Sequence, residues 1–587
     1  MMTRYSRRWR HLAWGLLLGL VSVSASAGRP AKWNPGKLSD KARLSASLKG
    51  TARMNVLVRF RRSPGAAETM LVQGLGGGVR KPLSASSRWM SVSMPAHAVA
   101  RLAEHSLVDF VAADEPMAAS AGMDVARQAV DEAPVSAPES AFKGAGVTIA
   151  MVDSGVALHP DIQTLTAAVD IVNPALPIPG GGASLAGGDP NDPANSIDPN
   201  GHGTHVAGIL VGNGSHSPDG RMAGMAPQAN LVSVRVLDGT GRGLTSDVLA
   251  GLQWVLDNRT QYGIRVVNLS IGHPVFEPAS VDPLVQAVDA LWDAGVVVVC
   301  SAGNGGRDGY VTISSPCNSR KVITVGAMND HGTPDISDDT TTTYSSRGPT
   351  ALDLVAKPDL VAPGNRIVSL RSAGSYQDSL FPDRRVAADP NLPLVQEYFE
   401  MSGTSMASPI VAGTVALMLE QDPALNPGTI KARLMLSARK PAVGDPLVTG
   451  AGTLDILAAL RATGSVADAP SPAAVIDAAT GLIGFQNTAV LWGNESFSLM
   501  TLWPGSVIWT DPTAYYQSVV WTAGEIWPNA ELWPSGEVWP TGENWPEDEL
   551  WPENLLWPDS PAWSAVQNTS DGLPIEITPL SLGFQDP

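Results

Sequence analysis

Short, nearly uninterrupted apolar runs separated by helix-spaced stretches dominate the middle of this chain. Gly146–Val152, Asn230–Leu237, Arg265–Ser270, Gly295–Cys300 and Val322–Val325 are rich in Val and Ile and lack the strict alternation of a half-exposed strand. Such runs predict strands buried on both faces. The intervening segments, Ser246–Asn258 and Asp282–Ala294 among them, read as helices. Strands alternating with helices predict the α/β class, with a mostly parallel sheet covered on both sides and the chemistry at the strands' carboxyl ends.

The pattern changes on either side. Asn55–Phe60 and Trp89–Pro95 read as strands, Ala96–Glu104 as a helix and Val108–Ala112 as a further strand. They predict a small α+β module with its ordered part at about 54–113, in a region spanning 28–120. Before it, Arg4, Arg7, Arg8 and Arg10 precede the apolar run Leu12–Val23 and the small residues Ala25-Ser26-Ala27, so 1–27 reads as an export signal. The pair Arg7-Arg8 also fits a twin-arginine signal. The run falls short of the roughly 20 apolar residues of a spanning helix. No other stretch is long enough, so no membrane span is expected once the signal is removed.

The large domain is expected over 121–462. A Pro/Ala/Ser stretch at Ala467–Ala474 marks 463–486 as a linker, and 487–587 as a tail. In the tail Trp recurs every six residues, at 503, 509, 521, 527, 533, 539, 545, 551, 557 and 563, with Tyr515 in the same register. A helix would scatter these rings around its axis, and Pro in units such as Glu531-Leu532-Trp533-Pro534 would break it. An extended or β-solenoid-like array keeps all Trp on one face. Self-packing is the plain expectation for it. Exposed Trp rows would instead suit a glycan or another protein.

Charge alters this picture in one respect. The net charge is −17, yet Lys and Arg end at Arg461, and the 16 Asp and Glu beyond it account for nearly all of that charge. The tail is an acidic appendage on a nearly neutral body. No basic stripe exists to bind nucleic acid. The only two cysteines, Cys300 and Cys317, are expected to close one disulfide in an oxidising compartment, with two buried thiols as the alternative.

Three short motifs carry the chemistry. They are Val152-Asp153-Ser154-Gly155, Asn200-Gly201-His202-Gly203-Thr204-His205-Val206-Ala207-Gly208 and Gly403-Thr404-Ser405-Met406-Ala407-Ser408-Pro409. A serine hydroxyl needs a base during attack. Imidazole is the side chain suited to that, and a carboxylate on its other nitrogen fixes the tautomer. His202 is expected to open a helix capped by Asn200. Ser405 should open another, with Pro409 in its first turn and backbone N–H groups beside the nucleophile.

These blocks, with Ser301-Ala302-Gly303-Asn304 between them, resemble the secreted subtilisin-like serine proteases, in that family's order, over roughly 140–460. The resemblance implies a subtilisin-like three-layer fold preceded by a ferredoxin-like pro-domain. It implies that Asp153 orients, His202 acts as base and then acid, Ser405 is the nucleophile, and Asn304 donates its side-chain amide to the oxyanion. Val266–Gly272 would hold polypeptide substrate by antiparallel pairing, through Ser270, Ile271 and Gly272. Gly303, Ser314 and Ser315 would line the pocket for the residue before the scissile bond, expected to be open and tolerant of apolar groups. The module at 54–113 would assist folding and block the cleft as an intramolecular inhibitor, until cleavage at about 114–125.

Plainer roles are open to some of these residues. Ser405 alone is an ordinary helix cap, and His202 with His205 has a spacing that could hold zinc. Further ligands and a His-Glu-x-x-His motif are missing, so no metal is assigned. His205 and His159 are expected to be structural. The acidic loops at Asp189-Pro190-Asn191-Asp192 and Asp198 are candidates for the structural calcium found in many relatives, but fit no defined calcium loop and read as solvated. No cofactor is expected to be required. The function expected is a secreted endopeptidase made as an autoprocessed precursor. Its rivals are a surface scaffold or adhesin that merely matures itself, and a transpeptidase or cyclase using the same acyl-enzyme.

Overall fold

The computed structural model describes residues 37, 53–81, 87–114, 116–119, 138–172, 176–177, 183–184, 196–217, 220–333, 338–387, 396–441, 445–476, 483–503, 530–532 and 538–540. The export signal and most of the Trp repeat lie outside these residues. Two short repeat segments, Ala530–Leu532 and Val538–Pro540, pair antiparallel with Glu531 opposite Trp539.

The first unit runs β1 (Arg53–Phe60), α1 (Ala66–Gly74), β2 (Gly78–Lys81), β3 (Trp89–Pro95), α2 (Ala96–Glu104) and β4 (Val108–Ala113). Its strands pair antiparallel in the order β2-β3-β1-β4. The period of two along each strand gives the sheet two different faces. Val56, Val58, Phe60, Val92 and Met94 pack with Val99 and Leu102 of α2 in a core of the unit's own. Leu57, Trp89, Phe110 and Ala112 on the other face join the core of the next domain. The sheet thus serves both as half of a small fold and as a docking surface.

Next come β5 (Pro116–Ala119), β6 (Thr148–Asp153), β7 (Leu165–Asp170), α3 (His202–Val211), β8 (Asn230–Arg235), β9 (Arg242–Leu244), α4 (Thr245–Tyr262), β10 (Ile264–Leu269) and β11 (Ile271–Gly272). They are followed by α5 (Pro283–Asp293), β12 (Val297–Ser301), β13 (Ile323–Asn329), β14 (Thr340–Thr341), β15 (Leu360–Pro363), α6 (Thr404–Gln421), α7 (Pro427–Ser437) and α8 (Ile456–Arg461). The main sheet has the order β14-β13-β12-β10-β6-β8-β7, with β15 also on β13. Its pairings are parallel except for the edge strand β14. Every residue of β6, β12 and β13 is buried, as the unbroken Val/Ile runs require of strands covered on both faces. Helix α6 is buried all round from Thr404 to Leu419, which is why its apolar residues show no single stripe.

Two expectations fail here. Val266–Gly272 is not one substrate-pairing strand: β10 belongs to the core sheet, and only β11, beyond Ser270, turns out to a small sheet of its own. The described parts of the expected linker, 463–476 and 483–486, are not free, and the first part of the tail is not an appendage. Val466, Ala469, Trp492, Phe497, Leu502 and Trp503 form a core with Ala432 and Met435 of α7 and with Ala451. Asn426 Nδ2 and Thr429 Oγ1 donate to the Val466 carbonyl at 3.0 and 2.9 Å. Ser471 Oγ donates to Asp359 Oδ1 at 2.6 Å inside a wholly buried cluster with Lys357 and Lys431. Small residues here signal close packing against a helix, not a flexible connection.

Candidate active site

The site lies where β6, α3 and α6 meet. Asp153 ends β6, His202 opens α3 and Ser405 is the second residue of α6; all three side chains are wholly buried. His202 Nδ1 lies 2.7 Å from Asp153 Oδ1, so that nitrogen carries the proton and donates it to the carboxylate. Ser405 Oγ donates to the Ser270 carbonyl at 3.1 Å.

Asp198 holds the start of α3. Its carboxylate accepts from Ser154 Oγ at 2.9 Å, Gly201 N at 2.8 Å, Thr204 N at 2.8 Å, Thr204 Oγ1 at 2.7 Å and Asn200 N at 3.2 Å. Ser154 Oγ in turn accepts from Gly203 N at 2.9 Å. Asp198 is therefore not a solvated loop residue: it is buried, and its oxygens accept hydrogen bonds inside the protein. Burial raises its carboxyl above the ordinary range, and these hydrogen bonds, led by that from Gly201 N, oppose the rise. Most of the capping expected of Asn200 falls to Asp198, while Asn200 Oδ1 accepts from His202 N at 3.3 Å.

Pro409 is the sixth residue of α6, not a first-turn residue. Its missing N–H deprives the Ser405 carbonyl of its helical partner. Ser270 Oγ fills that vacancy, donating to the Ser405 carbonyl at 2.9 Å. Asn268 Nδ2 donates to Ser270 Oγ at 3.0 Å, and Ser408 Oγ to Asn268 Oδ1 at 2.8 Å. A buried hydrogen-bonded chain thus ties the serine helix to the end of β10.

Asn304 follows β12 on a loop where Gly303 has a φ of 106°, a conformation suited to glycine. Asn304 Oδ1 accepts from Thr404 N at 3.0 Å and lies 3.1 Å from Thr404 Oγ1. Both contacts engage the oxygen, so the Nδ2 amide end is left for the cleft. Sequence reasoning missed Thr404 and Asn268 as positioning groups; their only signal was a polar residue beside the nucleophile and inside a buried strand.

The substrate-side residues divide. Ile271 pairs with Ala119 and Gly272 with Ala118, while β5 pairs on its other edge with β9, with Met117 opposite Gly243. Sequence reading had not singled out β9. Ser314 Oγ donates to the Ala302 carbonyl at 3.2 Å. Ser315 is wholly buried, and its hydroxyl points away to Asp282 Oδ2 at 2.7 Å, so it lines no pocket with its side chain. Cys300 and Cys317 are joined by a disulfide, with Cα atoms 5.6 Å apart, bracketing this loop. His205 is wholly buried and donates from Nε2 to the Phe399 carbonyl at 3.2 Å, with burial holding its pKa well below the usual imidazole value. His159 Nδ1 accepts from Asp161 N at 3.1 Å in a turn. Among the described residues no group of three or more His, Cys, Asp or Glu is arranged to hold a metal.

This fold, with an acid-paired imidazole on one helix and the serine on the helix packed against it, defines a class, the subtilisin-type serine proteases. The subtilase profile matches residues 144–456, and the chain belongs to that family. It is similar to serine protease AprX of Bacillus subtilis (strain 168), at 35% identity over 73% of this chain and 92% of that protein. It is also similar to subtilisin DY of Bacillus licheniformis, at 31% identity over 54% of this chain and 93% of that one. Its fold resembles fervidolysin from Fervidobacterium pennivorans, a keratinolytic enzyme related to subtilisin, with TM-score 0.56 and 21% identity. That match covers 76% of this chain and 66% of the other, just under two thirds of its length. The protein is a subtilisin-family serine protease acting on polypeptides.

Proposed function

We propose that the protein is a secreted serine endopeptidase, made as a precursor that removes its own N-terminal module. Ser405 Oγ attacks the carbonyl carbon and His202 Nε2 takes its proton, while Asp153 holds Nδ1–H and supports the imidazolium. Negative charge on the carbonyl oxygen is met by Ser405 N–H and Asn304 Nδ2–H. His202 then protonates the leaving amine, and water, activated by the same imidazole, releases the acyl group.

One observation carries the processing reading. The segment just after the N-terminal module, β5, occupies the cleft as an antiparallel strand between β9 and β11. It is seated as a peptide substrate would be. Ala119 faces Ile271, the next residue of the chain is Ser120 and the next of the wall is Ser270, so we assign cleavage to the Ser120–Ala121 bond. Secretion is supported by the leader at 1–27 and by the disulfide, which persists outside a reducing cytosol. No helix among the described residues is long and apolar enough to cross a membrane.

N-terminal sequencing of secreted protein, with casein turnover, tests this reading. Wild type should begin at Ala121 and degrade casein. Ser405→Ala should retain the module, since loss of the nucleophile costs about a million-fold in turnover. A processed Ser405→Ala protein would contradict self-processing. Processed wild type that turns over no peptide would support the scaffold reading instead.

A further inference from the structure

Two glycine-edged stretches pack near Ser314, and in a subtilisin-type site these stretches would be the walls of the slot beside the nucleophile. One wall is β11, with Gly272, and the other is the loop Ala302-Gly303-Asn304. Ser314 is close to both. A methyl group built on Gly272 would sit 2.8 Å from Ser314 Oγ and 3.1 Å from its Cβ. One built on Gly303 would sit 3.1 Å from the same Oγ and 2.8 Å from Ser346 Oγ. A single side chain thus stands within a van der Waals contact of both walls at once.

Ser314 is held there. Its amide and hydroxyl both donate to the Ala302 carbonyl, at 3.0 and 3.2 Å, fastening it to the opposite wall. Ser346 Oγ, the second hydroxyl at the floor, accepts from Gly305 N at 3.0 Å. The Cys300–Cys317 disulfide ties the strand leading into Gly303 to the loop that carries Ser314, so neither side retreats without the other. The cis peptide Ser315–Pro316 follows directly, and Ser315 is anchored on Asp282 at 2.7 Å.

We infer that Ser314 closes the floor of the specificity pocket and restricts the residue before the scissile bond to small uncharged side chains: Gly, Ala or Ser. An aromatic or long aliphatic group entering between Gly272 and Gly303 meets the Ser314 side chain and the two bonds that fix it. On this inference the pocket is shallow with a hydroxyl floor, where the resemblance led to an expectation of an open, apolar-tolerant one. This inference rests on the endopeptidase reading above and deepens it. An independent observation agrees: the stretch of chain that continues from β5 is Ala118-Ala119-Ser120-Ala121-Gly122, small at every position. Whichever bond in it is cut, the pocket receives a small residue.

The test uses the secreted protein produced from the full chain, with active sites counted by a fluorophosphonate. Four anilide peptides, Pro-Met-Ala-Ala-X with X as Ala, Ser, Leu or Phe, differ only before the scissile bond. Wild type should favour Ala and Ser over Phe by about 100-fold in kcat/KM. In Ser314→Gly the Phe-to-Ala ratio, taken within one preparation, should rise by about 10-fold or more. Wild type that cleaves Leu or Phe as fast as Ala overturns the inference while leaving the protease reading intact. So does a ratio unmoved by Ser314→Gly. Absence of both labelling and turnover would overturn the two together.

Discussion

Ser270 has two duties that compete for the same few ångströms. Its carbonyl accepts the Ser405 hydroxyl, and its own hydroxyl serves the Ser405 carbonyl that Pro409 leaves without a helical partner. Truncating Ser270 to Ala strands that carbonyl and the Asn268 amide in a buried site. The expected loss is about 1–3 kcal/mol of stability, seen as a lower melting temperature. Pro409→Ala returns an N–H four residues beyond Ser405, so the double variant should recover part of the loss. A strictly additive pair would remove this account of the proline. Asp153, His202, Asn304 and Ser405 were legible because each sits in a short block whose glycines and small residues are local. Ser270, Asn268, Thr404 and Asp198 were not legible in these roles. Their work depends on a strand end and a helix start converging across more than 100 positions, and on carboxylate oxygens finding N–H groups in a buried turn.

At the scale of elements, the N-terminal module grips the large domain by a helix cap. Asp114 directly follows β4 and accepts from Ser246 N, in the first turn of α4, at 2.7 Å. Its other oxygen takes Arg80 Nη1 at 2.8 Å and Ser91 Oγ at 3.0 Å. Arg59 makes a second contact, reaching Gln286 of α5 at 2.5 Å. Asp114→Ala removes the cap and leaves Arg80 without this partner, and breaking a buried charged contact of this kind costs about 2–5 kcal/mol of binding. The cleaved module should therefore inhibit at least about 30-fold less tightly in an inhibition titration, and an unchanged inhibition constant would place its grip elsewhere. The strands of the main sheet were readable from their Val and Ile runs because both faces are covered. The tiny strands β9 and β11, which line the cleft, and β5, which sits between them, were not. They are too short to show a period, and β5 pairs only because its neighbours offer open edges.

For the whole molecule, the described residues of 463–476 and 483–503 complete the large domain. Composition hid this, since Ala, Ser and Pro pack closely against α7 as readily as they form a coil. Where the chain folds back, Lys440 donates to the carbonyls of Met435 and Ala451 at 2.5 and 2.8 Å, and burial lowers its pKa from 10.5 to about 7. Between those two values the unfolded chain binds more protons than the folded one, so this lysine makes stability rise with pH across that window. Lys440→Met should flatten that rise. Its melting temperature relative to wild type should stand highest near about pH 6 and fall toward about pH 10. A difference constant with pH would mean the lysine is charged in the folded protein throughout.

Catalysis here depends on a serine hydroxyl made nucleophilic by the His202 imidazole. Secreted wild-type protein treated with a fluorophosphonate, digested and mapped by mass spectrometry should carry one adduct, on Ser405, and His202→Ala should lose it over the same period. Labelling at another serine, or labelling of Ser405 that persists undiminished in His202→Ala, would contradict it.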